Sequence, residues 1–157
     1  MPDSNAVIQH HAVMVRWLNH GLLICGPPGI GKSSLALSML NQGGQLIADD
    51  CVDIVCRDNQ LIARCPSTTS GLLHSRELGL LNIADLFGAH HVLAEAPVDA
   101  VIELLPEPPG ALEFSPHKYK EISGHNVTTL ALSVLNPLSL TERIALWLRQ
   151  QQPLNRV

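Results

Sequence analysis

The sequence predicts an α/β fold built on a mixed, twisted sheet with few helices. Three observations predict it. The apolar run Leu22-Leu23-Ile24-Cys25 feeds a Gly/Pro-rich segment, and the helical pattern Ser34-Leu35-Ala36-Leu37-Ser38-Met39-Leu40 follows at once. Strand, tight loop and helix in that order open a nucleotide-binding unit. Short strand pairs separated by turn residues flank that unit, where a plain alternating βαβ fold would need long crossover helices. The 157 residues, 46% apolar and 15% charged, suit one domain, 1–157, with a real core, and not a disordered chain.

Each element has a local cause. Residues up to about Ser4 read as a frayed terminus. Ala12–Trp17 reads as a strand with Val13, Val15 and Trp17 on one face, and Asn19-His20-Gly21 supplies the turn that pairs it with Leu22–Cys25. The helix after Ser33 is expected to stop at Asn41-Gln42-Gly43-Gly44, where glycine caps it. Gln45–Ala48 is a short buried strand ending at Asp49-Asp50, and Val52–Cys56 and Leu61–Arg64 form a hairpin about Arg57-Asp58-Asn59-Gln60. Pro66–Gly71 is loop-like, and Ile83–Phe87 forms a short helix closed by Gly88. Val98–Leu104 and Val127–Leu135 are further strands, separated by the breaker Pro106-Glu107-Pro108-Pro109-Gly110. Ser139 or Thr141 caps a last helix whose apolar stripe is Leu140, Ile144, Trp147 and Leu148. There is no internal repeat and no clear domain boundary.

Gly26-Pro27-Pro28-Gly29-Ile30-Gly31-Lys32-Ser33 fits the G-x-x-x-x-G-K-[S/T] phosphate-binding loop. Its glycines let backbone N–H groups turn inward towards phosphate oxygens, and the helix behind adds its positive end. Gly26, Gly29, Ile30, Gly31, Lys32, Ser33 and Ser34 are therefore the residues expected to bind a nucleoside triphosphate, with Lys32 on the β- and γ-phosphates and Ser33 on Mg²⁺. Asp49-Asp50 falls at the C-terminal edge of the next strand, where ligands collect in α/β sheets. Neighbouring residues of an extended chain point to opposite sides, so one aspartate can hold Mg²⁺ while the other accepts a hydroxyl proton. His11, on the strand paired with the loop's own strand, is expected to return towards the bottom or side of the site.

Composition narrows the partners. Two Trp, two Phe and one Tyr make a poor stacking surface, and a net charge of −4 offers no bulk attraction for a polyanion, so nucleic acid is not expected. Cys25, Cys51, Cys56 and Cys65 lack C-x-x-C spacing, which leaves a zinc site unsupported. With no basic-then-apolar leader and no apolar run near the roughly 18 residues that span a bilayer, a reducing cytoplasm is the expected location.

Taken together, these segments resemble the C-terminal catalytic domain of HPr kinase/phosphorylase. His11-Ala12-Val13-Met14-Val15 looks like that family's His-x-Val-x-Val strand, and Gln45-Leu46-Ile47-Ala48-Asp49-Asp50 is similar to its strand ending in Ala-Asp-Asp. Arg76-Glu77-Leu78-Gly79 followed by Leu86-Phe87-Gly88-Ala89 resembles its Arg-Gly-Leu-Gly signature and Leu-Phe-Gly, and Val98–Leu104 its next strand. The resemblance implies a fold related to phosphoenolpyruvate carboxykinase. It also implies ATP-dependent phosphoryl transfer to a serine of HPr or a related acceptor, and a possible homo-oligomer. By the same resemblance Asp49 is the proton acceptor assisted by His11, Asp50 joins Ser33 on the metal, Lys32 is catalytic, and Arg76 contacts phosphate or substrate. The sequence departs from the family pattern at His74, in place of a metal-assisting glutamate, and at Glu77, in place of glycine. It departs again at His125, in place of an arginine tied to dephosphorylation, and at Pro27-Pro28, in place of Asp-Ser. These departures keep two alternatives open: a nucleotide-binding regulatory protein that has lost catalysis, and a small-molecule kinase on the same fold.

Overall fold

The computed structural model describes residues 6–107 and 118–151. The expected frayed terminus and the Pro108-Pro109-Gly110 part of the breaker lie outside these residues. In chain order the strands are β1 Ile8–His10, β2 Val13–Trp17, β3 His20–Cys25, β4 Gln45–Ala48, β5 Val52–Arg57 and β6 Gln60–Arg64. They continue with β7 Leu72–Ser75, β8 Gly79–Asn82, β9 Glu95–Pro97, β10 Ala100–Leu105, β11 Lys118–Ile122 and β12 His125–Ser133. The α-helices are α1 Lys32–Leu40, α2 Ile83–Phe87 and α3 Leu140–Gln151.

Six strands form a mixed central sheet in the order β11-β12-β10-β3-β2-β4. β3, β10 and β12 run parallel; β2 is antiparallel to both β3 and β4. β4 therefore points the same way as β3, and the C-terminal ends of both strands reach one edge. A four-stranded antiparallel sheet, β1-β5-β6-β9, packs on one face of the central sheet, and α1 and α3 cover the other. The sorting follows strand alternation. Val13, Val15, Trp17, Leu22, Ile24, Ala100, Ile102 and Leu104 join the helix-side core with Leu35, Met39, Ile144 and Leu148. Met14, Leu23 and Val101 point the other way, against Val52, Ile54, Leu61 and Ala63 of the small sheet. Strands buried on both faces read as continuous apolar runs, which is why Leu22–Ile24 stood out in the sequence.

Turn chemistry sets the registers. The β2–β3 turn is Leu18-Asn19, with φ of 51° and 66°, and the β5–β6 turn is Asp58-Asn59, with φ of 52° and 62°. Two successive left-handed residues match the right-handed twist of a two-residue hairpin. The first turn thus sits one residue earlier than Asn19-His20-Gly21, because Leu18 accepts a left-handed backbone. The α1 C-terminus closes as expected, with Gly43 at φ 90° and the Gly44 N–H donating to the Met39 carbonyl. Ser139 is the α3 cap, its Oγ accepting from the Glu142 N–H at 3.2 Å, and Asn82 caps α2 through the Asp85 N–H. No helix among the described residues is long and apolar enough to cross a membrane.

Gly21 and Asp99 fasten the bottom of β3 to the chain entering β10. The Gly21 N–H donates to Asp99 Oδ2 at 2.7 Å and the Asp99 N–H returns to the Gly21 carbonyl at 2.8 Å. A Cβ on residue 21 would lie 1.8 Å from the Pro97 carbonyl oxygen, a backbone atom that cannot swing away. Gly21→Ala is therefore expected to destabilise the fold by about 2 kcal/mol or more, measured by urea unfolding.

Candidate functional site

The phosphate loop leaves β3 at Cys25 and enters α1 at Lys32, and its conformation needs glycine. Gly29 and Gly31 sit at φ 80° and 115°, left-handed values that a side chain strains. Gly31 caps α1 without a side-chain hydrogen bond, so the first-turn N–H groups of Lys32, Ser33 and Ser34 keep their donors for a ligand. Ile30 is placed differently from the expectation. Its N–H donates to the Pro27 carbonyl at 3.2 Å, and its side chain packs against the helix-side core. Gly26 contributes a carbonyl that accepts from Lys32 Nζ at 2.8 Å, with the Pro27 carbonyl at 3.2 Å from the same ammonium.

The two aspartates stand at the same edge because β4 runs with β3, but a bulge decides where they point. Met14 pairs with Ala48 and Val15 with Leu46, so Ile47 is an extra residue. Ile47 and Ala48 consequently both face the small-sheet core, where strict alternation would have separated them. The next residue, Asp49, is thereby turned to the helix side, towards α1. Ser33 Oγ donates to Asp49 Oδ1 at 2.6 Å, and the His74 N–H donates to Oδ2 at 2.8 Å. Asp50 takes a left-handed backbone, φ 68°, and is exposed beside the loop.

An open cleft of about 700 Å³ lies over the loop. One wall is Pro28, Gly29 and Gly31 to Ser34 with Asp50; the other is His74 to Leu78. That second wall is the tip of the β7–β8 hairpin, which the sequence reading did not identify as strands. Leu73 buries completely while His74 on the next position faces out, and Arg76, Glu77 and Leu78 form the tip. Arg76 leans across the loop: a Cβ on Gly29 would meet its guanidinium nitrogen at 2.9 Å. Lys32 and Arg76 thus bring two positive charges to a cleft already lined with N–H donors, a combination suited to a polyphosphate.

His11 stands in the bend that leads into β2, two residues before Val13, which pairs with Ile24 of β3. It is exposed and lies outside the residues that line the cleft. His125 is also outside that lining: it opens β12, with Nε2 3.8 Å from Cys56 Sγ.

Comparison with known proteins agrees with this architecture. The family model of the HPr serine kinase C-terminal domain matches residues 4–148. The chain belongs to this family. The HPr kinase/phosphorylase of Clostridium acetobutylicum is 40% identical over 94 residues, 60% of this chain and 31% of the relative. That of Geobacillus thermodenitrificans is 42% identical over 95 residues, again 60% and 31%. The chain thus spans about a third of the length of the curated relatives it matches. The solved structure of the Hpr(Ser) kinase/phosphatase from Coxiella burnetii superposes with a TM-score of 0.82 at 29% identity, covering 91% of this chain and 89% of that one. The fold is that of the HPr kinase family.

Lys32→Ala removes the ammonium held at the base of the cleft. It is expected to weaken nucleoside triphosphate binding by about ten- to a hundred-fold, the scale of one or two charge-assisted hydrogen bonds, as read by titration calorimetry.

Proposed function

We propose that this chain is an ATP-dependent protein serine kinase of the HPr kinase type, passing the γ-phosphate to a serine of HPr or a related acceptor. The observation that carries the reading is the Ser33–Asp49 contact at 2.6 Å, formed beneath a phosphate loop in a chain of the HPr kinase family. The contact links the loop hydroxyl to a carboxylate at the strand edge, the pairing that phosphate-loop enzymes use around their metal.

The donors fit Mg²⁺: a hydroxyl and neighbouring carboxylates are hard oxygen ligands. Ser33 and Asp49 would hold the ion, which when bound neutralises charge on the transferring phosphoryl group. The loop N–H groups and Lys32 grip the triphosphate, and Arg76 supplies a forked cation from the opposite wall. Asp50, exposed in the cleft, is the carboxylate placed to accept the proton of the incoming serine hydroxyl. This division reverses the one implied by resemblance, because both Asp49 oxygens already accept hydrogen bonds from the loop and β7. Glu77 and Leu78 at the hairpin tip line the same cleft and would border an incoming acceptor. His11, exposed and outside the cleft lining, is assigned no step in the transfer.

Incubation with Mg·ATP and purified HPr, followed by phosphoserine detection, tests the activity; labelled nucleotide bound without transfer to any protein supports the regulatory alternative. The aspartates separate in a second measurement. Asp50→Asn is expected to keep Mg·nucleotide affinity within about two-fold while lowering single-turnover transfer at least about a hundred-fold, the scale of a lost general base. Asp49→Asn is expected to weaken metal-dependent nucleotide binding itself. The opposite pattern would return the proton to Asp49.

A further inference from the structure

Of the four thiols, one faces a base. Cys56 continues the inward row Val52, Ile54, Cys56 on β5 and emerges half-buried at the rim where the small sheet meets the β11–β12 hairpin. Across the rim, Ser123 and Gly124 make a left-handed turn, φ 49° and 81°, that delivers His125 to the start of β12. His125 Nδ1 lies 3.1 Å from the Ser123 carbonyl oxygen. A carbonyl only accepts, so Nδ1 carries the ring proton, and the neutral ring turns the lone pair of Nε2 towards Cys56 Sγ, 3.8 Å away. A thiol, a base and a group that fixes the base's tautomer are the parts of an activated nucleophile.

Among the described residues, the other three cysteines lack that arrangement. Burial pushes the Cys25 thiol up from its ordinary value. Cys65 Sγ donates to the Pro66 carbonyl at 3.1 Å, which holds it as the thiol.

We infer that Cys56 is a covalent modification site, activated by His125, that exchanges with low-molecular-weight disulfides. His125 Nε2 accepts the Cys56 proton, and the thiolate attacks one sulfur of the disulfide. The reagent's S–S bond breaks as the new Cys56 S–S bond forms, and the leaving thiolate takes the proton from the imidazolium. Cys56 is oxidised to the mixed disulfide and half of the reagent is reduced to thiol. Neither Cys56 nor His125 lines the cleft over the phosphate loop.

Treating the reduced full chain with limiting glutathione disulfide and mapping adducts by peptide mass spectrometry tests this. Cys56 is expected to be modified about ten-fold faster than each of Cys25, Cys51 and Cys65 in the native protein. His125→Gln is expected to slow Cys56 by about the same factor and leave the other three unchanged. Reaction first at another cysteine in the native protein overturns the inference. So does an unchanged Cys56 rate in His125→Gln that melts like the native chain. The wild-type ranking stands as a test even where the variant does not fold.

Discussion

The hydrogen bond from Ser33 to Asp49 depends on a single extra residue. β2 lies antiparallel between β3 and β4, which sends both outer strands to the same edge, yet parallel direction alone would not aim Asp49 at the loop. Strict alternation from Leu46 would place Asp49 on the small-sheet side, with Ile47. The bulge at Ile47 shifts the alternation by one, and two successive apolar side chains, Ile47 and Ala48, then fill the small-sheet core while the carboxylate faces α1. The left-handed backbone of Asp50, two residues past the end of β4, brings the second carboxylate beside the loop. One bulge and one positive φ therefore assemble the acidic side of the site.

These causes explain what the sequence disclosed and what it hid. The phosphate loop, both two-residue hairpins and the capped helices were legible because each is decided locally, by glycine, by turn residues or by an apolar stripe. The Leu18-Asn19 turn was displaced by one residue because nothing intrinsic to leucine advertises a left-handed backbone. Which of Asp49 and Asp50 turns towards Ser33 was illegible because a bulge is a tertiary event with no residue signature at Ile47.

The β7–β8 hairpin was the largest structural omission. Its strands are four residues each, and its connecting residues Arg76-Glu77-Leu78 carry no Asn-Gly or Asp-Gly signal. Neither strand alternates visibly in sequence, since Leu72, Leu73, Leu80 and Leu81 are apolar on both faces. What fixes the hairpin is packing: Leu73 is completely buried, Leu81 packs beside it against the helix-side core, and the His74 N–H is tied to Asp49. The carboxylate that meets Ser33 therefore also sets the position of the opposite wall, and Arg76 is brought over Gly29 by the same contact.

Seen from that wall, Pro27-Pro28 fits the site better than a count of lost donors suggests. Proline lacks an N–H, so neither residue can offer one to a phosphate. Yet the Pro27 carbonyl accepts from both Ile30 N–H and Lys32 Nζ, closing the first half of the loop on itself. The donors that remain uncommitted lie in the second half, at Gly29 and from Gly31 through Ser34, directly below Arg76. A fixed proline φ reduces the freedom the loop loses on ordering, and the cations of Lys32 and Arg76 concentrate positive charge where the N–H groups survive. A polyphosphate in this cleft would thereby be drawn towards the α1 end of the loop, which is the end that holds Ser33, Asp49 and Asp50.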